Sequence, residues 1–139
     1  MGSTGDAPSM SILVDTNILV RHLTGDPPSQ AKHATAFLAG ADALVLADLI
    51  LAEMVYVLES FYELPRAAIA EAARALLAMP SITVVDQPLL LRALELYETV
   101  RLDFAEAYLA AASELWGIDG VASFDRQLDR VGTVERIEP

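Results

Sequence analysis

Residues 11–23, SILVDTNILVRHL, place an acid directly behind a run of apolar residues. The run Ile12, Leu13 and Val14 predicts a buried β-strand, and a short helix is predicted to follow it as far as Leu23. Asp15 stands at the junction between the two. A carboxylate in that place either caps the helix or belongs to a ligand site, because ligands of parallel sheets bind beyond the carboxyl ends of the strands.

The same alternation of strand and helix continues to the end of the chain. Asp48 is predicted to cap the longest apolar helix and Gly117 to close the last one. Strands separated by helices predict an α/β fold with a central parallel sheet covered on both faces. The predicted strands are ALVLA (43–47), ITVV (82–85), GVAS (120–123) and TVERI (133–137), and the later helices are predicted at residues 29–39, 48–62, 66–79, 87–101 and 103–117.

Composition limits the class of protein. The chain has 139 residues, of which 54% are hydrophobic and 21% charged, as is typical of one folded domain. It has no cysteine, which excludes disulfides and thiolate zinc sites and fits a reducing cytoplasm. No apolar run is long enough for a membrane span, so we expect a soluble protein. Residues 1–9 have no signal-peptide features and are predicted to be an expression remnant or a disordered leader before a single domain at 10–139.

The charge balance is strongly acidic. Twenty acids against nine bases give a formal net charge of −11. Proteins that bind nucleic acids neutralise phosphates with lysine and arginine, so this net charge opposes nucleic-acid binding. A polyanion could therefore bind only with a divalent cation, with a local cluster of the few arginines, or with a partner chain. The remaining possibility is that no polyanion binds.

Acids stand at comparable places in further segments. Glu53 falls near the start of a predicted helix, and Asp125 follows the strand GVAS. Asp103 and Glu106 lie three residues apart at a helix start and so share one face. If the strand ends bring these acids together with Asp15, like charges that close cannot all stay ionised without a cation or shared protons. Hard oxygen ligands suit Mg²⁺ or Mn²⁺, and the inferred reaction is metal-assisted phosphodiester hydrolysis.

Four segments, in this order and spacing, resemble PIN domains, and among them the VapC-type toxins of bacterial toxin–antitoxin pairs. They are VDTNIL (14–19), LAEMVYVL (51–58), DFAEAYLAAA (103–112) and ASFDRQL (122–128), and the resemblance covers residue 10 to the C-terminus. It implies a PIN-like three-layer α/β/α domain with a central parallel sheet of four to five strands. It also implies a quartet of acids that binds Mg²⁺ or Mn²⁺, and endoribonuclease activity on RNA restrained by a cognate antitoxin.

The resemblance assigns roles position by position. Asp15 matches the family's first acid, Glu53 its second and Asp125 its fourth. Asn17 and Ser123 match the polar positions beside the first and the last acid, and they are expected to hold ligands or a phosphate by hydrogen bonds.

The third acid departs from the family pattern. The family usually shows Asp where this chain has Glu106, often with a further Asp three residues earlier, which here is Asp103. Glu is one methylene longer, so either Glu106 reaches the ion with altered geometry or Asp103 takes its place. The implied ion is held by Asp15, by the Asp103/Glu106 pair and by Asp125, and Glu53 positions the attacking water or takes its proton.

Each acid also has a purely structural interpretation. Asp15 is in the place of a helix N-cap, and Asp125 in that of a turn residue. Asp103 and Glu106 together match a capping box, DFAE. The Arg126/Arg130 pair, four residues apart, is either a solvated face or an RNA contact.

Two other classes of function use the same acids. In one, the acidic cleft is a binding module without catalysis that receives a basic segment of a partner, a reading that Glu106 at the third position favours. In the other, the protein hydrolyses small phosphate esters, although the chain lacks the D-x-D signature of aspartate-nucleophile phosphatases. The apolar stretches LILAEMVYVLESFY (49–62) and PLLLRALELY (88–97) predict a homodimer or a docked antitoxin, which would offer a cation to the acids.

Overall fold

Strands and helices alternate along the chain as predicted. The structure is a computed structural model that describes residues 10–139, and the predicted leader at residues 1–9 lies outside the described residues. The strands are β1 (Ser11–Leu13), β2 (Ala43–Val45), β3 (Ile82–Thr83), β4 (Val121–Ala122) and β5 (Arg136–Ile137). The helices are α1 (Thr16–Thr24), α2 (Pro28–Gly40), α3 (Asp48–Ser60), α4 (Arg66–Leu77), α5 (Gln87–Glu95) and α6 (Phe104–Trp116).

All strand pairs are parallel. The first sheet has the order β1-β2-β3, with Leu13 opposite Val45 and Val45 opposite Thr83, and the second pairs β4 with β5. Residues 10–139 therefore contain five strands, the upper limit of the predicted number, but their hydrogen bonds divide them into sheets of three and two. With its helical layers this is a three-layer α/β/α fold, which confirms the predicted class.

The strand β1 is less buried than its apolar sequence predicts. Leu13 is 73% exposed and Ile12 is half-buried, whereas Val14, just past the strand, is buried. Among residues 10–139, β1 pairs only with β2 in its three-stranded sheet. The carboxyl end of β1 nevertheless leads directly to Asp15, as predicted.

The segment before α6 is fixed from the core. Tyr97 is fully buried, and its hydroxyl donates to Glu59 Oε2 on α3 at 2.7 Å. The Arg66 guanidinium lies 4.3 Å from the centroid of the Tyr97 ring and donates to the carbonyls of Tyr97 and Leu102. Because Leu102 directly precedes Asp103, this contact holds the start of α6 in place.

Two predicted helix ends are wrong. The helix predicted to reach Arg101 ends at Glu95 and continues as a π-helical turn, Leu96–Val100, in which the Thr99 hydroxyl donates to the Glu95 carbonyl at 2.7 Å. Such back-bonding competes with the regular helix ladder. Asp48 does not cap α3, because Ala47 is the N-cap and the Asp48 carboxylate accepts from the Tyr108 hydroxyl on α6 at 2.7 Å.

Over the described residues, no helix has both the length and the apolar character required to cross a membrane.

Candidate metal centre

Three acids of the predicted site come together at the start of α6. Asp103, Glu106 and Asp125 each offer a carboxylate oxygen, and these atoms lie within 4.8 Å of one another. Asp103 is the N-cap residue of α6, Glu106 lies in its first turn, and Asp125 follows β4. We name these three residues the acid cluster. Asp103 and Glu106, which the sequence left as alternatives at the third position, both belong to it.

The Asp103 side chain is held by a glutamine and not by its own helix. Asp103 makes no side-chain capping bond, so the capping box that DFAE predicts does not form. Instead, Gln127 Nε2 donates to Asp103 Oδ2 at 3.2 Å, and Gln127 Oε1 accepts from the Asp103 N–H at 2.9 Å. The amide of Gln127 thereby orients the first acid of α6 toward the loop that carries Asp125.

Asp125 serves as a turn residue as well as a member of the acid cluster. Its Oδ1 accepts from the Gln127 N–H at 2.9 Å, which caps the 3₁₀ turn Arg126–Arg130. Its own N–H donates to Ser123 Oγ at 2.9 Å. The Ser123 hydroxyl, predicted to bind a ligand or phosphate, thus supports the Asp125 loop through the backbone.

The pKa of Glu106 reflects its burial and the closeness of the other two carboxylates. Its pKa is raised, mainly by burial and further by the charges of Asp125 and Asp103 and a hydrogen bond with Asp125. The direction agrees with the expectation that neighbouring carboxylates cannot all stay ionised in the absence of a cation.

Asp15 and Glu53 form a second group. The Asp15 carboxylate caps α1 by accepting from the Thr16 N–H at 2.7 Å, and the buried Thr16 hydroxyl donates to Glu53 on α3. Neither acid contributes an oxygen to the acid cluster. Asn17 is exposed on the first turn of α1. The structure therefore brings three predicted acids together and joins the other two through a threonine.

The acid cluster fits a hard divalent cation. Its donors are carboxylate oxygens only, Glu106 and Asp125 are half-buried, and within residues 10–139 no lysine or arginine forms an ion pair with any of the three. Mg²⁺ and Mn²⁺ bind through a few carboxylates and keep several waters. A cation here would also relieve the repulsion that raises the pKa of Glu106.

Sequence reasoning missed two residues that support these acids, Gln127 and Thr16. Both stand beside an acid within a quoted segment, Gln127 in ASFDRQL and Thr16 in VDTNIL. Neither side chain carries a charge, and neither lies on an apolar stripe, so only their place next to Asp125 and Asp15 could have indicated them.

The histidines take no part in the candidate site. His22 Nδ1 lies 2.8 Å from the Thr35 hydroxyl, across the contact between α1 and α2, and His33 is exposed on α2.

One family model matches the sequence. It is that of the PIN domain, and it covers residues 12–134. No curated protein matches the chain.

Proposed function

Because the chain belongs to the PIN domain family, whose members are generally metal-dependent nucleases, we propose that it is a metal-dependent endoribonuclease and the toxin of a VapC-type toxin–antitoxin pair. The observation that carries the proposal is the acid cluster: carboxylate oxygens of Asp103, Glu106 and Asp125 lie within 4.8 Å of one another. Asp103 and Glu106 share the start of α6, and Asp125 joins them from the loop after β4.

In the proposed mechanism Asp103, Glu106 and Asp125 would hold Mg²⁺ or Mn²⁺. A bound divalent ion neutralises charge on a phosphate and makes its bound water more acidic. Gln127 keeps the Asp103 carboxylate aimed at the site through its side-chain amide. Asp15, which caps α1 at the end of β1 and lies outside the acid cluster, would add a further carboxylate to the site, and Glu53, positioned by Thr16, would orient the attacking water or accept its proton. Asn17 and Ser123 would hold ligands or a phosphate by hydrogen bonds.

The first test is a calorimetric titration of Mn²⁺ into the purified chain. We expect binding in the wild type, and losses of affinity in Asp103→Asn, Glu106→Gln and Asp15→Asn. Asparagine caps a helix about as well as aspartate, so Asp15→Asn keeps α1 intact. Glu71→Gln, which neutralises an exposed acid of α4, is the matched control and should bind as the wild type does.

The second test is Mn²⁺-dependent cleavage of single-stranded RNA of mixed sequence. Cleavage that disappears in Glu106→Gln but persists in Glu71→Gln would support the nuclease. Mn²⁺ binding without cleavage of any RNA would contradict it and favour the acidic binding module. Hydrolysis of a chromogenic phosphate monoester without cleavage of RNA would favour the small phosphate-ester hydrolase instead.

A cognate antitoxin is part of the proposal. The acid cluster has no cationic partner within residues 10–139, so an arginine or lysine from another chain would relieve the same repulsion as the ion. An antitoxin that inserts such a side chain should compete with Mn²⁺. Titration of Mn²⁺ into the complex with its antitoxin, compared with the free chain, tests this competition.

A homodimer is the other assembly that we propose. Along α3 and α6, Leu49, Tyr56 and Leu109 are 77%, 67% and 45% exposed. Between them, the small residues Ala52 and Ala105 line two adjoining depressions. We name these five residues the α3/α6 face. Protruding side chains beside a groove on one surface are self-complementary, which is what a two-fold interface requires.

A further inference from the structure

The basic residues of this acidic chain differ in whether they pair with an acidic side chain. All nine lysines and arginines lie within the described residues. Arg74, Arg92 and Arg136 form ion pairs with acids, and Arg66 packs on Tyr97. Three exposed arginines have no carboxylate within ion-pair distance over residues 10–139. They are Arg101, Arg126 and Arg130, and we name them the arginine rim.

The arginine rim is adjacent in sequence to two members of the acid cluster. Arg101 precedes Asp103 by two residues, and Arg126 directly follows Asp125. Arg130 Nη1 donates to the Arg101 carbonyl at 3.0 Å, which joins the 3₁₀ turn to the segment before α6. The bonds of Gln127 to Asp103 join the same two segments. Three arginines without a carboxylate partner therefore lie on the two segments that carry Asp103 and Asp125.

The arginine rim does not neutralise the acid cluster. Over residues 10–139, none of its three arginines forms an ion pair with Asp103, Glu106 or Asp125. Their charges therefore remain available to an anionic ligand that extends past the acid cluster.

The backbone conformation of Arg101 limits the substitutions that can test it. Its φ of 63° and ψ of 38° are left-handed, a conformation that costs a residue with a Cβ free energy and that glycine adopts readily. α1 and α6 end in the same conformation at Gly25 and Gly117. Glu63 is left-handed as well, with a φ of 53°, so the conformation by itself assigns no role to the Arg101 side chain.

We propose that Arg101, Arg126 and Arg130 bind backbone phosphates of single-stranded RNA on the flank of the scissile bond. This rests on the proposed nuclease function, since it names how the same site holds its substrate. The net charge of −11 repels a polyanion at long range. Guanidinium groups bind phosphate through paired N–H donors, and backbone contacts of this kind are independent of base sequence.

The test is RNA binding as a function of salt. A fluorescently labelled single-stranded RNA of mixed sequence is titrated in EDTA, so that no cleavage occurs, over a series of KCl concentrations. The slope of log affinity against log salt should become shallower by about 0.7 for each phosphate-bound arginine that is removed. The variants are Arg101→Asn, Arg126→Gln, Arg130→Gln and their combination. Asparagine tolerates the left-handed backbone at position 101.

The matched control is Lys32→Gln, which removes an exposed cation from α2, a helix that packs against α1. It should leave the slope unchanged, and Arg101→Lys should preserve it because the charge remains. In Mn²⁺, the combined variant should raise KM for RNA with little change in kcat. Its Mn²⁺ affinity should equal that of the wild type, which separates substrate binding from damage to the acid cluster.

Each possible result supports or overturns one of the two proposals. If the wild type cleaves RNA but the combined variant keeps its salt slope and KM, the arginine rim is overturned and the nuclease stands. If the wild type neither binds nor cleaves RNA in Mn²⁺, both proposals fail. If the combined variant does not fold, the single variants decide by the same slope.

Discussion

Gln127 holds two acids of the acid cluster at once. It bonds Asp103 through both ends of its side-chain amide, and its backbone N–H donates to the Asp125 carboxylate. Groups that orient metal ligands matter nearly as much as the ligands, so Gln127→Ala should weaken Mn²⁺ binding by about 10- to 100-fold. Calorimetric titration measures the change.

Gln30→Ala is the control for this substitution, because it removes an exposed glutamine from α2. It should bind Mn²⁺ as the wild type does. Wild-type affinity in Gln127→Ala would show that the two hydrogen bonds to Asp103 do not determine the geometry of the acid cluster.

A substitution at Arg101 can test whether this residue is needed for stability or for RNA binding. Arg101→Gly removes the strain of a Cβ in that conformation, so the free energy of unfolding should stay within about 1 kcal/mol of the wild type or rise. The same change at Lys32, inside α2, should lower it by about 0.5–1 kcal/mol because glycine weakens helices. Urea unfolding measures both. A large loss in Arg101→Gly would make this arginine structural.

Charged side chains were the part of the site that the sequence could indicate. Asp103, Glu106 and Asp125 follow a strand or begin a helix, and on that basis the sequence predicted that they converge, but the same argument also included Asp15, which lies outside the acid cluster. The support from Gln127 was not predictable, because hydrogen bonds of an uncharged amide leave no periodic pattern. The separate pairing of Asp15 and Glu53 through Thr16 depends on side-chain rotamers, which sequence does not specify.

Helices α5 and α6 are joined by a pH-sensitive contact. Arg92 donates Nε to Glu114 Oε1 at 2.7 Å and Nη2 to Oε2 at 2.9 Å. The pKa of Glu114 is lowered, first by the hydrogen bond from Arg92, against an opposing effect of burial. Because the folded pKa lies below the unfolded one, the contact stabilises the fold above the ordinary pKa of glutamate and is lost as pH falls through the lowered value.

Glu114→Gln should therefore lower the free energy of unfolding at neutral pH by about 1.5 kcal/mol. The difference from the wild type should shrink as the pH falls through the folded pKa. Urea unfolding over a pH series measures it. Glu95→Gln removes the other, more exposed acid paired with Arg92 and should change stability by less than about 1 kcal/mol. A pH-independent difference in Glu114→Gln would contradict the account.

Helix and strand positions followed the sequence where local patterns controlled them. Gly117 closes α6 in the left-handed conformation that a terminal glycine predicts. The cap predicted at Asp48 is absent because Tyr108, sixty residues away, takes its carboxylate. Likewise, the π-helical turn after α5 depends on Thr99 and on contacts from Arg66. The start of α3 and the end of α5 thus depend on side-chain contacts that local propensity does not predict.

The exposed apolar surface of the molecule includes only one of the two stretches that the sequence indicated. Of the two apolar stretches, that of α5 is largely absorbed by the core, where Leu89, Leu90, Leu94 and Tyr97 are buried. That of α3 leaves Leu49 and Tyr56 in solvent. Period alone cannot tell a buried stripe from an exposed one, because both repeat every three to four residues. Only the packed arrangement shows that α6 extends the α3 surface.

The α3/α6 face gives the final prediction. Leu49→Glu or Leu109→Glu should convert a dimer to a monomer, because two copies facing across a two-fold axis would bury like charges against each other. Sedimentation velocity over a concentration series measures the state. Phe37→Glu, which adds the same charge at an exposed apolar residue of α2, should remain dimeric. A wild-type monomer at the highest concentration, or dissociation by Phe37→Glu alone, would place the association elsewhere or remove it.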